Sequence, residues 1–382
     1  MSPKRPALLL YCQHSLGLGH LTRSLALARA FATRFRVVLL SGGRVPPAIP
    51  LPPGVEVVRL PPVGLDADGS LVSRDGRRVI ERALELRREA ILGAYRRHRP
   101  RVVVVELFPF GRKKFAGELM PLLELAREDV SPPLVVSSLR DILVGRDDGG
   151  EHDERASRLA NEWFDTVLVH SDPRFAQLED SFRPRTPLRV PVHYTGFVVA
   201  DPRPAGGNGR RDGQVLVSAG GGLVGEPLLR AAVGAGALLR GDGVQVRIVA
   251  GPFLPADAWR SLRAAARDVA GIEVRRSVPD LRAELERSAA SVSQCGYNTA
   301  LDLLVSRVPA LVVPFARPGE DEQSVRARRL ERLGAVRTLA PDRLTPQALA
   351  AELRRLRGFR ARPVELDLGG AQKTARLISG AS

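Results

Sequence analysis

Short apolar runs alternate with amphipathic stretches along most of this chain, and this alternation is the feature that most constrains its fold. The first run, ALLLYC at residues 7–12, contains no charged residue, and a helical period follows over residues 21–31. Continuous apolar runs are typical of strands buried on both faces. Strands that alternate with helices predict a parallel sheet covered on both sides, and therefore an α/β fold. The later runs of the first half are 37–40, 55–60, 102–105, 134–137 and 167–169, with helical stretches at 77–98, 116–128 and 151–163.

Residues 200–213 interrupt the alternation. This segment, ADPRPAGGNGRRDG, is rich in Gly, Pro and Arg and has no hydrophobic period, which is typical of a linker between domains. Because 382 residues are many for one core, we predict two domains, 1–199 and 214–360, and a C-terminal segment, 361–382. The strand-like runs of the second half are 215–217, 244–250, 272–274, 289–293, 310–314 and 336–339, with helical stretches at 226–239, 257–269, 345–356 and 371–378.

The chain is strongly basic, with 58 Lys and Arg against 42 Asp and Glu and a net charge of +16. This charge favours an anionic partner, either a nucleotide diphosphate or an anionic membrane surface met by a peripheral protein. Coding composition is the alternative source, since nearly all the positive residues are arginine. Nucleic acid is disfavoured, because aromatic residues make up only 5% of the chain and no recognition motif is present.

The cellular location follows from cysteine content and apolar runs. Two cysteines, Cys12 and Cys295, exclude a disulfide framework and fit a reducing compartment. No apolar run reaches the roughly 18 residues of a membrane span. The basic N-terminus leads into a glycine turn instead of a small-residue cleavage site, so we expect a buried first strand and not a signal peptide. We predict a cytoplasmic protein, with peripheral contact to the inner membrane face if the basic surface is functional.

A glycine turn, Gly17-Leu18-Gly19-His20, follows the first apolar run and opens a helix. The dinucleotide fingerprint needs a third glycine where this chain has Thr22, so a nicotinamide or flavin site is disfavoured. The positive end of the helix lowers the pKa of a histidine at that position, which suits a general base. His20 is therefore a candidate base, with a simple helix cap as the alternative. His14, earlier in the same loop, is a second candidate with the same alternative.

A second glycine loop, Ser218-Ala219-Gly220-Gly221-Gly222, lies between the first strand-like run and the first helical stretch of the second half. Consecutive glycines permit positive φ and close backbone approach, so their N–H groups can form an anion-binding nest. The loop lacks the Gly-Lys-Ser/Thr end of a P-loop, and ATP hydrolysis has no support. Ligands bind at the carboxyl ends of strands in open α/β sheets, which favours ligand contact over a plain loop.

The stretch 291–323 combines a strand, a turn at Cys295-Gly296, a helix from Asn298 or Thr299, a second strand and a polar loop. The mouth of such a helix favours a phosphate. Asp302 on the helix, with Glu322 and Gln323 after the next strand, could then hold sugar hydroxyls. The alternative is an ordinary βαβ unit with a capped helix. The sequence thus favours a nucleotide-sugar site.

Two further carboxylates, Glu106 and Asp141, each follow an apolar run and could face a ligand or simply cap a loop. Asp66 and Asp68 have DxD spacing but lie in a turn, where solvated side chains are the better interpretation. Cysteine and histidine show no zinc spacing, and no Gly-x-Ser-x-Gly motif supports a serine hydrolase.

Together these motifs resemble the GT-B glycosyltransferases of family 28, the group of the peptidoglycan N-acetylglucosaminyltransferase that acts on lipid-linked muramoyl-pentapeptide. A poorly characterised branch of predicted glycosyltransferases is similar over more segments. The segments that carry the family resemblance are GLGHLTR (17–23), SAGGG (218–222), CGYNTALDLL (295–304) and the run from 314 to 323. Those shared with the poorly characterised branch are YCQH (11–14), ELFPFG (106–111), RDI (140–142), HSDPRF (170–175) and YTG (194–196).

The resemblance implies a GT-B architecture, in which two Rossmann-like domains face each other across a cleft. Acceptor binds to the first domain, nucleotide-sugar to the second, and the segment 361–382 crosses back to the first. The implied reaction is inverting and needs neither metal nor cofactor. The implied base is His20, with His14, Glu106, Asp141 and His170 as the further candidates. The implied donor residues are Ser218, Gly220, Gly221, Gly222, Gly296, Tyr297, Asn298, Thr299, Asp302, Glu322 and Gln323, and the acceptor or cleft residues are Gly17, Gly19, Arg23, Arg140 and His170.

One departure from the family concerns the ribose-binding position, which is usually Glu and is Asp302 here. The shorter side chain leaves the nucleotide base open between uridine, thymidine and others. The acceptor is also open between a lipid-linked sugar, a natural product and a protein side chain, and the oligomeric state is open. The alternative functions are a nucleotide-sugar hydrolase or 2-epimerase and a nucleotide-sugar-binding protein without catalysis.

Overall fold

A computed structural model describes residues 5–14, 18–46, 49–66, 68–76, 78–145, 148, 150–200, 212–316 and 321–381. Residues 5–14, 20–200 and 366–381 group into one compact unit, and residues 18–19 and 212–365 into another. Most of the predicted linker, with Gly17 and Glu320, lies outside the described residues. Each unit is an α/β sandwich around its own parallel sheet.

The first unit is built on a seven-stranded sheet in the order β3-β2-β1-β6-β7-β8-β9, in which every pairing is parallel. A two-stranded antiparallel hairpin, β4-β5, stands apart from it. The strands are β1 (Ala7–Cys12), β2 (Arg36–Ser41), β3 (Val55–Arg59), β4 (Val63–Leu65), β5 (Leu71–Ser73), β6 (Val102–Glu106), β7 (Leu134–Arg140), β8 (Thr166–His170) and β9 (Val192–Tyr194).

Four helices cover this sheet: α1 (Gly19–Phe31), α2 (Ile80–His98), α3 (Ala116–Arg127) and α4 (Glu151–Trp163). Every residue of β1, β6 and β8 is buried, because helices pack on both faces. The apolar runs predicted these central strands. The three-residue strands β4, β5 and β9 have no fully apolar run, so the pattern did not predict them.

The second unit has a six-stranded parallel sheet in the order β12-β11-β10-β13-β14-β15. Helices α5, α6 and α10 contribute to the apolar core on one of its faces. The elements are β10 (Gln214–Ser218), α5 (Glu226–Leu238), β11 (Gln245–Val249), α6 (Ala256–Arg267), β12 (Ile272–Arg275), α7 (Leu281–Arg287), β13 (Ala290–Ser293), α8 (Tyr297–Ser306), β14 (Ala310–Val312), α9 (Glu322–Arg332), β15 (Arg337–Thr338) and α10 (Pro346–Leu356).

The C-terminal segment returns to the first unit and ends in α11 (Gly370–Ala381). The Phe197 N–H donates to the Asp367 carbonyl at 2.6 Å, and the Gly370 N–H donates to the Phe197 carbonyl at 3.0 Å. The Asp367 N–H also donates to a buried carboxylate, Asp172, at 2.9 Å. Main-chain pairing after β9 and one side-chain acceptor after β8 thus hold the segment against the first unit.

Candidate functional site

The first unit pairs His20 with Glu106 at the carboxyl edge of its sheet. His20 lies in the first turn of α1, and Glu106 is the last residue of β6, which pairs with β7 while β1 lies on its other side. The Nδ1 atom of His20 is 2.5 Å from the Glu106 Oε1 atom, with side-chain exposures of 24% and 1% respectively. A carboxylate accepts the Nδ1 proton, so Nε2 carries the lone pair that can take up a proton.

The charges around this pair favour a neutral imidazole beside an ionised carboxylate. Burial lowers the pKa of His20 to about 4, although Glu106 opposes that shift. Burial alone would raise the pKa of Glu106, but His20 and the neighbouring guanidinium groups outweigh it and hold that pKa well below its usual range. At neutral pH, His20 is therefore a proton acceptor and Glu106 an anion that stabilises the imidazolium once it forms.

Two arginines complete the surroundings of Glu106. Arg23, on α1, donates to the Glu106 Oε1 atom and is 1% exposed, so it positions the carboxylate instead of facing an acceptor. The Nη2 atom of Arg112 lies 3.6 Å from the Glu106 Oε2 atom and donates to the Gln13 carbonyl at 2.5 Å. Arg112 was not among the predicted residues. The ELFPFG segment that precedes it was the available signal.

The alternative base candidates of the first unit are buried. His14 is 2% exposed and places Nε2 3.0 Å from the Ser41 hydroxyl, and burial lowers its pKa to about 4. Asp141, directly after β7, is 2% exposed. Both residues lie at the same sheet edge as His20, but only His20 combines partial exposure with a carboxylate partner.

His170, predicted as an acceptor or base residue, is fully buried at the end of β8. Its Nε2 atom is 2.8 Å from the Ser138 hydroxyl and its Nδ1 atom is 2.8 Å from the Thr195 hydroxyl. Burial lowers its pKa to about 3. Both ring nitrogens are thus hydrogen-bonded inside the protein. Arg140, its register partner on β7, is half-buried, and Gly19 is the exposed first residue of α1.

In the second unit, the glycines of the loop after β10 differ in their surroundings. Gly222 has φ +91°, and a Cβ atom there would lie 2.5 Å from the Ala250 carbonyl oxygen, so this glycine allows two loops to pack together. Gly220 has φ +57°, and a Cβ atom there would meet nothing within 4 Å. The main chain near Gly220 is therefore the part of the loop open to a ligand. Gly221 accepts the Phe253 N–H at 2.9 Å, and Ser218 lies buried at the end of β10.

Helix α8 begins at Tyr297, with Gly296 as an extended N-cap that provides no side-chain cap. The sequence predicted a start one or two residues later, because Asn298 and Thr299 are typical capping residues. No acidic residue occupies the first turn, so its N–H groups are suited to an anion. Asp302 is half-buried in the second turn of α8.

The Gln323 side chain is hydrogen-bonded to the turn that precedes α8. Its Oε1 atom accepts both the Cys295 N–H and the Phe315 N–H, each at 3.0 Å. The fixed carbonyl orients the side-chain amide, so that Nε2 is the group available to donate to a ligand. Arg326, one turn later on α9, is buried and donates to the Cys295 carbonyl at 2.8 Å.

Glu322 begins α9 and is 14% exposed on its side chain. Its Oε2 atom lies 4.0 Å from the Nη2 atom of Arg326, a residue that was not among those predicted. The four-residue spacing between Glu322 and Arg326 on one helix was the signal for this pair. The predicted sugar-binding pair is therefore held by the same helix that supports the α8 turn.

The chain is similar to known glycosyltransferases. Residues 221–379 match the glycosyltransferase family 28 C-terminal domain. Much of the second half of the chain thus matches the model of that C-terminal domain. The chain is similar to UDP-N-acetylglucosamine--N-acetylmuramyl-(pentapeptide) pyrophosphoryl-undecaprenol N-acetylglucosamine transferase from Thiobacillus denitrificans, at 29% identity over 68% of this chain and 66% of the relative. The corresponding Methylobacterium radiotolerans protein is 34% identical over 23% of this chain and 24% of its own. The chain thus spans less than two thirds of these relatives' length.

Solved structures share the whole fold. The calicheamicin glycosyltransferase CalG4 has a TM-score of 0.58 at 18% identity, covering 99% of this chain and 94% of its own. Acinetobacter baumannii MurG has a TM-score of 0.57 at 15% identity, covering 99% and 100%. The predicted GT-B fold with two Rossmann-like units is confirmed.

None of the described helices is both long and apolar enough to span a membrane. Within the described ranges, no group of three or more His, Cys, Asp or Glu side chains could hold a metal ion.

Proposed function

We propose that this protein is an inverting glycosyltransferase that moves a sugar from a nucleotide-diphosphate donor to an acceptor hydroxyl or amine. The observation that carries the proposal is the His20–Glu106 pair, in a chain whose residues 221–379 match the family 28 C-terminal domain. A neutral imidazole with a fixed Nδ1 proton and a carboxylate behind it is the arrangement of a general base.

In the proposed reaction, Nε2 of His20 removes the proton of the acceptor hydroxyl as its oxygen attacks the anomeric carbon. The bond from that carbon to the diphosphate oxygen breaks, and the nucleoside diphosphate leaves from the opposite face. A single displacement of this kind inverts the configuration. Glu106 stabilises the imidazolium, which later returns its proton to solvent.

The donor half of the proposal rests on the second unit. The N–H groups of the first turn of α8 and the open main chain near Gly220 supply donors for the diphosphate. Nε2 of Gln323 would donate to a sugar hydroxyl, and Asp302 would accept from the ribose. Main-chain donors would stabilise the leaving group in a reaction that needs no metal.

The first substrates to test come from the relatives' names. We propose a UDP-sugar donor, with a dTDP-sugar as the second choice because Asp302 is shorter than the family's usual Glu. A lipid-linked acceptor is the proposed class, and it would place the basic chain at the cytoplasmic face of a membrane.

The experiment measures nucleoside diphosphate release from a panel of UDP- and dTDP-sugars, with and without lipid-linked and natural-product acceptors. We expect release that requires an acceptor. Equal release without any acceptor would replace the transferase with a hydrolase, and binding without turnover would leave a nucleotide-sugar-binding protein.

His20→Ala tests the assigned base. Turnover should fall about 10²–10⁴-fold, while the donor Kd stays unchanged because the side chain belongs to the first unit. His193→Ala is the matched control, since His193 lies on edge strand β9. Full activity in His20→Ala would refute the assignment.

A further inference from the structure

Polar side chains form a buried row across the carboxyl edge of the first sheet. Glu106 of β6 is the register partner of Ser138 on β7. Two residues further along β7, Arg140 is the partner of His170 on β8. Side chains of register partners share a face, and residues two apart on a strand do so as well. Glu106, Ser138 and His170 therefore lie on one face of the sheet.

Hydrogen bonds give this row a direction. We assign the Nδ1 proton of His170 to its bond with the Thr195 oxygen, because the Thr195 hydroxyl has its own acceptor in the Gly196 carbonyl at 3.3 Å. The Nε2 atom of His170 then accepts the hydroxyl proton of Ser138 at 2.8 Å. His170 is 0% and Ser138 1% exposed, which gives these bonds their full strength in a dry environment.

The row reaches the base pair through Ser138. The main-chain carbonyl of Ser138 accepts the Leu107 N–H at 2.9 Å. Leu107 directly follows Glu106 and has φ +66°, a left-handed conformation that costs a branched side chain energy and needs surrounding support. Ser138 is thus bonded to His170 by its hydroxyl and to the turn after Glu106 by its carbonyl.

We propose that His170 is a positioning residue, which acts through Ser138 to fix the end of β6 and so the Glu106 carboxylate under His20. This inference rests on the proposed role of His20 and Glu106 as the base pair. His170 itself touches no substrate. A merely structural histidine would affect stability alone, whereas a positioning residue affects turnover at unchanged donor affinity.

Two variants of His170 each keep the hydrogen bond of only one of its ring nitrogens. The amide of His170→Gln reaches the position of Nε2 and keeps the acceptor for Ser138. The amide of His170→Asn reaches only the position of Nδ1 and keeps the bond to Thr195. We expect kcat to fall about tenfold or more in His170→Asn and in Ser138→Ala, and to stay within about threefold in His170→Gln. The donor KM should be the same in all three, and the Ser138→Ala/His170→Asn double variant should lose no more than either single variant.

A second measurement is independent of turnover. Histidine-ring NMR of the unliganded chain should show the His20 Nδ1 proton at low field, since it is hydrogen-bonded to Glu106. That signal should shift in His170→Asn and in Ser138→Ala and stay in place in His170→Gln. If the wild type turns over no donor while the signal responds in this order, the proposed function fails and the positioning role stands.

The opposite results overturn the inference. An unmoved His20 signal and native kcat in folded His170→Asn and Ser138→Ala would leave His170 as a structural residue. Equal losses in the Asn and Gln variants would show that the Ser138 bond does not carry the effect.

Discussion

Replacing Gln323 separates a structural role from a binding role in one side chain. Its Oε1 atom accepts two main-chain N–H groups, from the fully buried Cys295 and the half-exposed Phe315. Gln323→Ala leaves both donors without that acceptor. A buried donor left unpaired costs about 1–3 kcal/mol, and the more exposed one costs less because water replaces the bond. The free energy of unfolding of the second unit should therefore fall by about 1–4 kcal/mol.

Gln323→Glu should behave differently, because a carboxylate can accept the same two N–H groups. It replaces the Nε2 donor by a second oxygen and adds a negative charge at the donor site, so the unit should keep its stability within about 1 kcal/mol while the donor KM rises about tenfold. Native stability together with weaker nucleotide-sugar binding in Gln323→Glu is the result expected if the amide carbonyl stabilises the fold and the amide nitrogen binds substrate.

Urea unfolding followed by tryptophan fluorescence measures the stability change. Each unit contains one of the chain's two tryptophans, Trp163 in α4 and Trp259 in α6, so a Trp163→Phe background reports on the second unit alone. Gln347→Ala, on the exposed face of α10, is the matched control and should change stability by less than about 0.5 kcal/mol. Unchanged stability in Gln323→Ala, or native donor KM in Gln323→Glu, would refute the division of roles.

Three further perturbations test other parts of the structure. Glu106→Gln should lower kcat about 10²-fold at saturating donor, because the amide still accepts from His20 but no longer stabilises its cation; an undiminished kcat would contradict this. Gly222→Ala should destabilise the second unit far more than Gly220→Ala in urea titrations, since only the former meets a backbone oxygen; equal effects would contradict it. Hydrogen bonds hold the pKa of Asp172 at about 2 against an ordinary 3.8, so its stabilisation is complete above pH 3.8 and is lost as the pH falls towards 2. Asp172→Asn should flatten the dependence of the urea midpoint on pH in that window, and an unchanged slope would count against the assignment.

Local sequence patterns predicted the elements of this fold better than its long-range pairings. The run at residues 7–12 and the glycine turn before His20 were enough to predict β1 and a histidine at a helix mouth. The partner of that histidine, Glu106, comes from a strand 86 residues later, and only the order of strands in the sheet brings it close. A one-dimensional pattern holds no information on that order, so Glu106 appeared only as one of several strand-end carboxylates.

Sequence patterns also do not show whether a residue contacts a ligand or another part of the protein. Three glycines in a row predict close backbone approach, but whether a ligand or another loop fills the space depends on the fold around Gly220 and Gly222. The sequence predicted Gln323 as a sugar-binding amide, but its side-chain carbonyl accepts two main-chain N–H groups. The sequence predicted His170 as an acceptor, cleft or base residue, and only the fold shows the hydroxyls of Ser138 and Thr195 on either side of its ring.

The docking of residues 366–381 on the first unit also sets an order for folding during synthesis. The sheet of that unit is complete once β9 has left the ribosome, yet Phe197 and Asp172 have no tail to bind until the entire second unit has been translated. The nascent first unit must therefore wait with an unfinished surface beside β9. A chain truncated before residue 366 would expose this surface at Phe197 and Val198, which are buried in the finished protein, and a chaperone could bind there.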